Sequence, residues 1–388
     1  MAYDEEIKIR SYNWQIDQLR IEDLERRCTV GLFESGSFLY TDTMGDPICR
    51  IRNCPMYNML VAEADNEIVG VIQGTIKTVT LPSTAKDKAN VGYILGLRVS
   101  PLRRRKNIGS SLVLKMEQWF ITNNVDFAYM ATEKDNKPSV KLFTCKLGYV
   151  PFRRPTILVD PVARHKLRIS SKVEIAKIKI EQAEYLYRRF VVPTAEFFSN
   201  DMDKILRNKL SLGTWIAYPS GESWNTDLGS NAQLPSNWAM LSVWNSVDVF
   251  KLRVSIVSMP RLLCAKSSKF IKKLFPCLKV PIIPDFFQPF GFYFTYGMHC
   301  EGERSDLLMR SLCRFVHNLA TQREDCKVIV TEVGECDKLR ALIPHSRLLS
   351  CPEDLWCIKA LKVEEKHTLL ACIRAPPPKS LFVDPREV

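Results

Sequence analysis

Tyr93-Ile94-Leu95-Gly96-Leu97-Arg98-Val99-Ser100-Pro101-Leu102-Arg103-Arg104-Arg105-Lys106-Asn107-Ile108-Gly109-Ser110-Ser111-Leu112-Val113 decides how this chain reads. Its opening residues have the pattern of a buried strand, which ends at Ser100-Pro101 because proline has no N–H for a ladder and restricts the residue before it. From Gly109 onward Leu112, Val113, Met116, Trp119 and Phe120 recur at helical spacing. Between strand and helix stand four consecutive cations, Arg103 to Lys106, then Asn107 and Gly109. Free backbone N–H groups at a helix start attract anions, and glycine allows a phosphate close approach. A strand running into such a turn predicts a pyrophosphate site; a solvated basic surface loop is the alternative with the same composition. The turn has neither the lysine–hydroxyl pair of a P-loop nor the three glycines of a dinucleotide fingerprint.

A second stretch follows at short range. Asp126 to Thr132 reads as the next strand and Pro138 to Leu147 as the next helix, with Pro138 in its first turn and Gly148 as its stop. Taken together, the two stretches resemble the GCN5-related N-acetyltransferases (the GNAT family). Arg104-x-x-Asn107-x-Gly109 stands where that family has Gln/Arg-x-x-Gly-x-Gly/Ala, and asparagine tolerates the left-handed backbone of the replaced glycine. Asn136, Ser139, Leu142, Phe143, Gly148 and Tyr149 stand for the family's Asn-x-x-Ala-x-x-Leu-Tyr-x-x-x-Gly-Phe. Over nearly its whole length the chain is similar to the plant Hookless-type N-acetyltransferases.

The resemblance implies an α/β (α+β) fold of tandem acetyltransferase-like domains. Each would be a mixed, mostly antiparallel sheet with splayed central parallel strands and flanking helices. It also implies acetyl-CoA as co-substrate and direct attack by an amine of a protein or small molecule, in a developmental or hormone-response setting. On that basis the pyrophosphate falls on Arg104, Arg105, Lys106, Asn107, Ile108, Gly109 and Ser110, and the pantetheine and thioester on Leu97, Arg98 and Val99. Asn136 and Phe143 flank the far end of the coenzyme. The acid and base depart from the family pattern. Phe143 replaces the tyrosine that protonates the leaving thiolate in many members, and phenylalanine has no proton to give. A glutamate base of some members falls at Tyr93. Glu63 and Glu133 are the carboxylates that could face the cleft, and Cys145 and Tyr149 could replace the missing acid. Each of these five is equally a packing or surface residue, so a non-catalytic regulator of the same fold remains the second reading.

The rest of the chain sets limits. Its 388 residues predict two domains, placed at residues 1–162 and 163–363 with a tail at 364–388 that has no clear period and is expected to be mobile. The net charge of +12 favours anionic partners, which leaves nucleic acid or an acidic protein open beside the coenzyme. Thirteen cysteines, an odd number without a signal-peptide pattern, point to reduced thiols in the nucleus or cytoplasm. No apolar run is long enough to span a membrane, and the five histidines form no metal-ligand grouping.

In order, Ile7–Arg10 reads as a strand and Asp17–Cys28 as a helix. Glu34–Cys54 reads as a loop whose Phe33, Phe38, Leu39 and Tyr40 suit a substrate lid. A hairpin turns at Ala64–Glu67, and Phe152–Leu158 closes the sheet. The second half repeats this outline from Val173 to Leu361, with Val249–Val254 as hairpin partner of Trp238–Trp244. It carries Glu301 and Glu303 where phosphates would sit, so like charge opposes a pyrophosphate there. Residues 261–275 form a basic amphipathic segment, readable as a packed helix or as a surface for lipid, nucleic acid or a partner.

Overall fold

A computed structural model describes residues 7–28, 30–32, 37–81, 88–163, 165–224, 234–256, 285–351 and 353–388. The basic segment at 261–275 and Phe33 lie outside these residues. Eighteen strands are described. In chain order they are β1 Lys8–Ser11, β2 Val30–Leu32, β3 Ser37–Asp42, β4 Met56–Ala64, β5 Glu67–Thr80, β6 Lys88–Val99, β7 Phe127–Glu133, β8 Val150–Arg153 and β9 Thr156–Pro161. The second half supplies β10 Val173–Ile178, β11 Ala195–Glu196, β12 Ser211–Pro219, β13 Trp238–Asn245, β14 Lys251–Ile256, β15 Gly291–Glu301, β16 Cys326–Val333, β17 Asp354–Ala360 and β18 Ser380–Leu381.

Two large sheets result, and each borrows a strand from the other half of the sequence. The first has the order β1-β4-β5-β6-β7-β17-β8 and the second β10-β12-β13-β15-β16-β9. The sequence reading of Phe152–Leu158 as one strand closing the first sheet is therefore corrected. Pro155 lacks the N–H to continue a ladder, so the chain breaks there and β9 crosses to pair antiparallel with β16. In exchange β17 enters between β7 and β8. Its Leu355, Trp356, Cys357 and Ile358 are all buried, the composition of a strand covered on both faces.

The hairpin β4–β5 forms as its sequence predicts, with Asp65 and Asn66 both left-handed (φ 50° and 60°), as a two-residue turn of the twist-matched type requires. Other expectations fail. Glu34–Cys54 is not all loop: β3 pairs with β14, so β14 is not the partner of β13, which pairs instead with β12 and β15. The tail is not loose either. Residues 381–387 are buried, after a helix Lys366–Arg374. Leu381, Phe382 and Val383 join the core and Asp384, Arg386 and Glu387 are held by ion pairs, but irregular backbone carries no hydrophobic period by which a sequence could reveal this.

The helix Ile108–Thr122 packs Ile108, Leu112, Val113, Met116 and Phe120 on one face of the first sheet. Gly74 and Gly92 leave the room for it: a Cβ there would meet Met116 at 2.5 Å and Phe120 at 2.8 Å. The opposite face carries Tyr93, Phe127 and Tyr129 into a core shared with the second half. Buried Arg153, on β8, spans the halves with a two-pronged bond to Glu196 (2.7 and 2.9 Å).

Candidate active site and coenzyme groove

The strands β6 and β7 run parallel and pair from Val91–Phe127 to Ile94–Met130, and no rung follows. Beyond that rung Leu95–Val99 keeps to β5 while Ala131–Glu133 keeps to β17. The cause is local. A register shift between Val71 and Gln73, with Gly96 left-handed at φ +62°, bulges β6 away from β7. Two parallel strands thus part where the predicted thioester residues Leu97, Arg98 and Val99 lie.

The basic turn follows directly. Pro101–Arg103 makes one tight turn, and Arg105 and Asn107 are left-handed (φ 66° and 61°). Asn107 therefore holds the glycine-like backbone that its place in the motif requires. Its Oδ1 accepts from Lys146 Nζ at 2.7 Å, and the helix Ile108–Thr122 has no side-chain cap. Its first-turn amides face outward without an internal carboxylate, which suits an anion. Arg103 is drawn to Asp65 (3.1 Å) and Arg98 to Glu25 (3.2 Å), whereas Arg104, Arg105 and Lys106 are exposed around the turn. A Cβ on Gly109 would have Leu142, Val99 and Leu97 as its nearest neighbours, at 3.6 to 3.9 Å, so this glycine faces the gap between the motifs. Leu142, read in the second motif but not as a coenzyme residue, lines that gap. Ser110 is buried, its hydroxyl donating to Asn107 O at 2.8 Å.

The second motif is longer than the family pattern by one residue, with four rather than three between Phe143 and Gly148. A π-turn at Leu142–Lys146 takes up the surplus, as such turns do within helices. Asn136 caps the preceding helix at its start, accepting from Ser139 N at 3.4 Å, and is exposed. Phe143 is 2% exposed and meets Tyr149 edge-on at 5.1 Å in the core beneath the helix.

Of the five candidate acids and bases, the fold brings Tyr93 and Glu133 to the parting strands. Tyr93 is half-buried and stacks on Tyr129 at 4.7 Å. Burial first, then the charge of Glu387, pushes its hydroxyl well above the ordinary tyrosine range, which removes it as a base. Glu133, at the end of β7, lies in register with Asp354, and burial followed by that neighbour raises its carboxyl. The others lie elsewhere. Glu63 is held by Arg20 (2.7 Å) and Arg10 (2.9 Å), which keep it ionised below its ordinary range. Cys145 is exposed on the π-turn. Tyr149 is buried on the helix face, its hydroxyl pushed upward by burial and then by Glu117.

The side chains that do line the opposite face were missed. Gln73, Thr75 and Lys77 of β5 share it, with Glu387 folded back onto them: Lys77 Nζ and Tyr129 Oη donate to its Oε2 at 2.7 and 2.6 Å. Glu332 enters from the second sheet and accepts from Trp356 Nε1 at 3.1 Å. The readable signal was charge inside apolar strands, as in Val328-Ile329-Val330-Thr331-Glu332-Val333.

The second half has a gap of the same kind, walled by the last segment of the chain. Its parallel ladder β15–β16 ends at Thr295–Thr331, with Gly297 left-handed at φ +59°. Ser380–Val383 walls a cavity beside the parting strands, which Met298, Glu332 and Asp337 also line. Tyr187 closes it further, its ring 2.3 Å from where a Cβ on Gly297 would stand. Among the described residues no group of three metal-binding side chains occurs, and no helix is long and apolar enough to cross a membrane.

The sequence matches the Acetyltransferase (GNAT) family over residues 19–149, a span that holds both motifs and the parting strands. Over 98% of the chain it is 46% identical to the "Probable N-acetyltransferase HLS1" of Arabidopsis thaliana, 99% of which is covered. It is 35% identical, again over 98% of the chain and 97% of the relative, to the "Acetyl transferase GW6a" of Oryza sativa subsp. japonica. The fold is similar to that of a Saccharomyces cerevisiae N-myristoyltransferase solved with myristoyl-CoA. There the TM-score is 0.53 at 9% identity, covering 91% of this chain and 79% of that one. With its left-handed Asn107 turn, parted strands and full-length similarity to Hookless-type relatives, the chain belongs to the GNAT family of acetyltransferases.

Proposed function

We propose that the chain transfers the acetyl group of acetyl-CoA to an amine of a protein or small-molecule acceptor. The observation that carries this is the gap after Ile94 and Met130, which opens onto the uncapped helix start at Ile108. In this reading the amides and cations of Arg104–Ser110 hold the coenzyme phosphates. Leu97, Val99, Gly109 and Leu142 line the path of its thioester arm. Coenzyme A supplies an activated acyl group, and the exposed backbone of β6 past the bulge is available to polarise its carbonyl. The acceptor approaches on the face of Tyr93.

The Hookless-type relatives support a regulatory setting in a plant. The reduced cysteines, unpaired among the described residues, support the nucleus or cytoplasm as its place. The charge of +12 supports an acidic protein or nucleic acid as a further partner. Calorimetric titration with acetyl-CoA tests the site. The native chain is expected to bind one equivalent saturably and the Gly109→Trp variant none. Equal binding by both would remove the groove assignment. Binding by the native chain without transfer to any amine would favour the non-catalytic reading, which Phe143 in place of the family's tyrosine supports.

A further inference from the structure

Exposure along β6 and β7 marks where the gap between them begins. Ile94, Leu95 and Met130 are 2%, 6% and 3% exposed, whereas Gly96 to Val99 and Ala131 to Glu133 are all half-buried. The change falls at the last rung of the parallel ladder, Ile94–Met130. A coenzyme arm that enters from the basic turn and runs along Val99 and Leu97 therefore ends blind, with its acyl group at this rung. Side chains alternate between the two faces of a sheet, so the acyl group meets a different wall on each.

On the helix face the space is taken. Ile94 and Met130 belong to the core beneath Ile108–Thr122, where Met116 and Phe120 already press on Gly74 and Gly92. On the opposite face the first parted positions are Leu95 and Ala131, and the pair before them is Tyr93 and Tyr129. Gln73 fills the β5 side there: its Cδ lies 3.4 Å from the point where a side chain on Gly96 would begin. Tyr129 is buried and fixed. Its hydroxyl donates to Glu387 Oε2 at 2.6 Å, and its ring meets Phe197 at 5.1 Å and Trp356 at 5.3 Å. Tyr93 stacks on that ring at 4.7 Å and is half-buried, so its ring is the part of this rung that reaches the opening. Two residues along one strand face are roughly 7 Å apart, which brings the Tyr93 ring into contact range of a group lying between Leu95 and Ala131.

We propose that Tyr93, propped on Tyr129, is the residue that determines which acyl group this chain accepts. Its ring floors the narrow end of the gap, so the site takes a short acyl group such as acetyl and rejects straight chains of four carbons and longer. This rests on the coenzyme groove proposed above and names the class of acyl-CoA that fits it. No proton moves through Tyr93 in this role. The ring acts by its volume, and its hydroxyl is not needed.

The experiment measures binding and needs no acceptor. The full chain is titrated calorimetrically with free coenzyme A, acetyl-CoA, butyryl-CoA and octanoyl-CoA. The native chain is expected to bind butyryl-CoA and octanoyl-CoA at least about tenfold more weakly than acetyl-CoA, the lower end of what forcing extra methylenes into a packed space costs. Tyr93→Ala should reverse the order, with butyryl-CoA bound more tightly than acetyl-CoA by roughly fourfold for each methylene buried. Tyr93→Leu leaves a smaller cavity; it should give an intermediate ratio and serves if the alanine variant does not fold. Tyr93→Phe keeps the ring and should keep the native order. Each readout is a ratio of affinities within one variant, which a loss of stability by itself does not move. Equal binding of acetyl-CoA and butyryl-CoA by the native chain would overturn the role of Tyr93. So would alanine and leucine variants that keep the native order, or a phenylalanine variant that behaves like the alanine one. Failure of the native chain to bind free coenzyme A or any acyl-CoA would instead overturn the groove itself.

Discussion

Lys77 and Glu387, 310 positions apart in sequence, form a buried ion pair at 2.7 Å that ties the last turn of the chain to the centre of the first sheet. Tyr129 and Thr75 supply further donors to the same carboxylate, at 2.6 and 3.4 Å. Three residues earlier, Asp384 accepts from Ser199 at 2.7 Å and pairs with Arg386, which also reaches Asp201 at 2.7 Å. Breaking one partner of such a pair leaves a charge in the interior. Lys77→Met should therefore cost about 3–5 kcal/mol in denaturant unfolding. Adding Glu387→Gln, which can still accept from Tyr129, should recover most of that loss. A double variant no more stable than Lys77→Met would show that the two residues are not energetically coupled.

The walled gap of the second half leads to a stoichiometry. Phe382 N donates to Glu196 O at 2.9 Å and β18 pairs with β11, so the segment in that gap is held by backbone as well as by side chains. Glu301 and Glu303 stand at the turn that follows, so like charge opposes a phosphate there, and the backbone N of Arg304 is bound to Asn237 Oδ1 at 2.8 Å. Calorimetry should give one acetyl-CoA per chain. Two equivalents of similar affinity would mean that the last segment leaves its cavity.

These two features mark what was legible in the sequence. Both motifs, the β4–β5 hairpin and the helix Ser305–Ala320 are local: turn chemistry and period determine them within a dozen residues. The exchange of β9 and β17 was not legible. A strand's own pattern says that it is buried, while its partner is chosen by long-range packing. The polar groups behind the coenzyme groove were hidden for the same reason. Lys77, Tyr129 and Glu387 meet only once three distant segments close on one another, and no spacing rule connects them.

Asn107 permits a sharper test of the turn. Its φ of +61° is tolerable for asparagine and free for glycine, but costs a β-branched residue about 1–2 kcal/mol. Asn107→Gly should keep both stability and acetyl-CoA affinity, since it gives up only an exposed bond to Lys146. Asn107→Val should lower the melting temperature and weaken acetyl-CoA by about tenfold, the binding equivalent of roughly 1.4 kcal/mol. If the valine variant binds as tightly as the native chain, the left-handed turn is not what holds the coenzyme.

Glu332 should leave a mark on stability. Burial and then the charge of Asp354 raise its folded-state carboxyl above the value it has when unfolded. Between those two values the folded chain holds more protons than the unfolded one, so stability falls as pH rises through the interval. Glu332→Gln removes that penalty while retaining an acceptor for Trp356 Nε1. The variant should match the native chain at about pH 3, where the carboxylate is largely protonated in both states. It should become more stable with rising pH, by on the order of 2 kcal/mol in mildly alkaline buffer. Urea unfolding at the two ends of that range measures the difference directly. A variant less stable than the native chain at alkaline pH would mean that the carboxylate is ionised and well solvated in the fold.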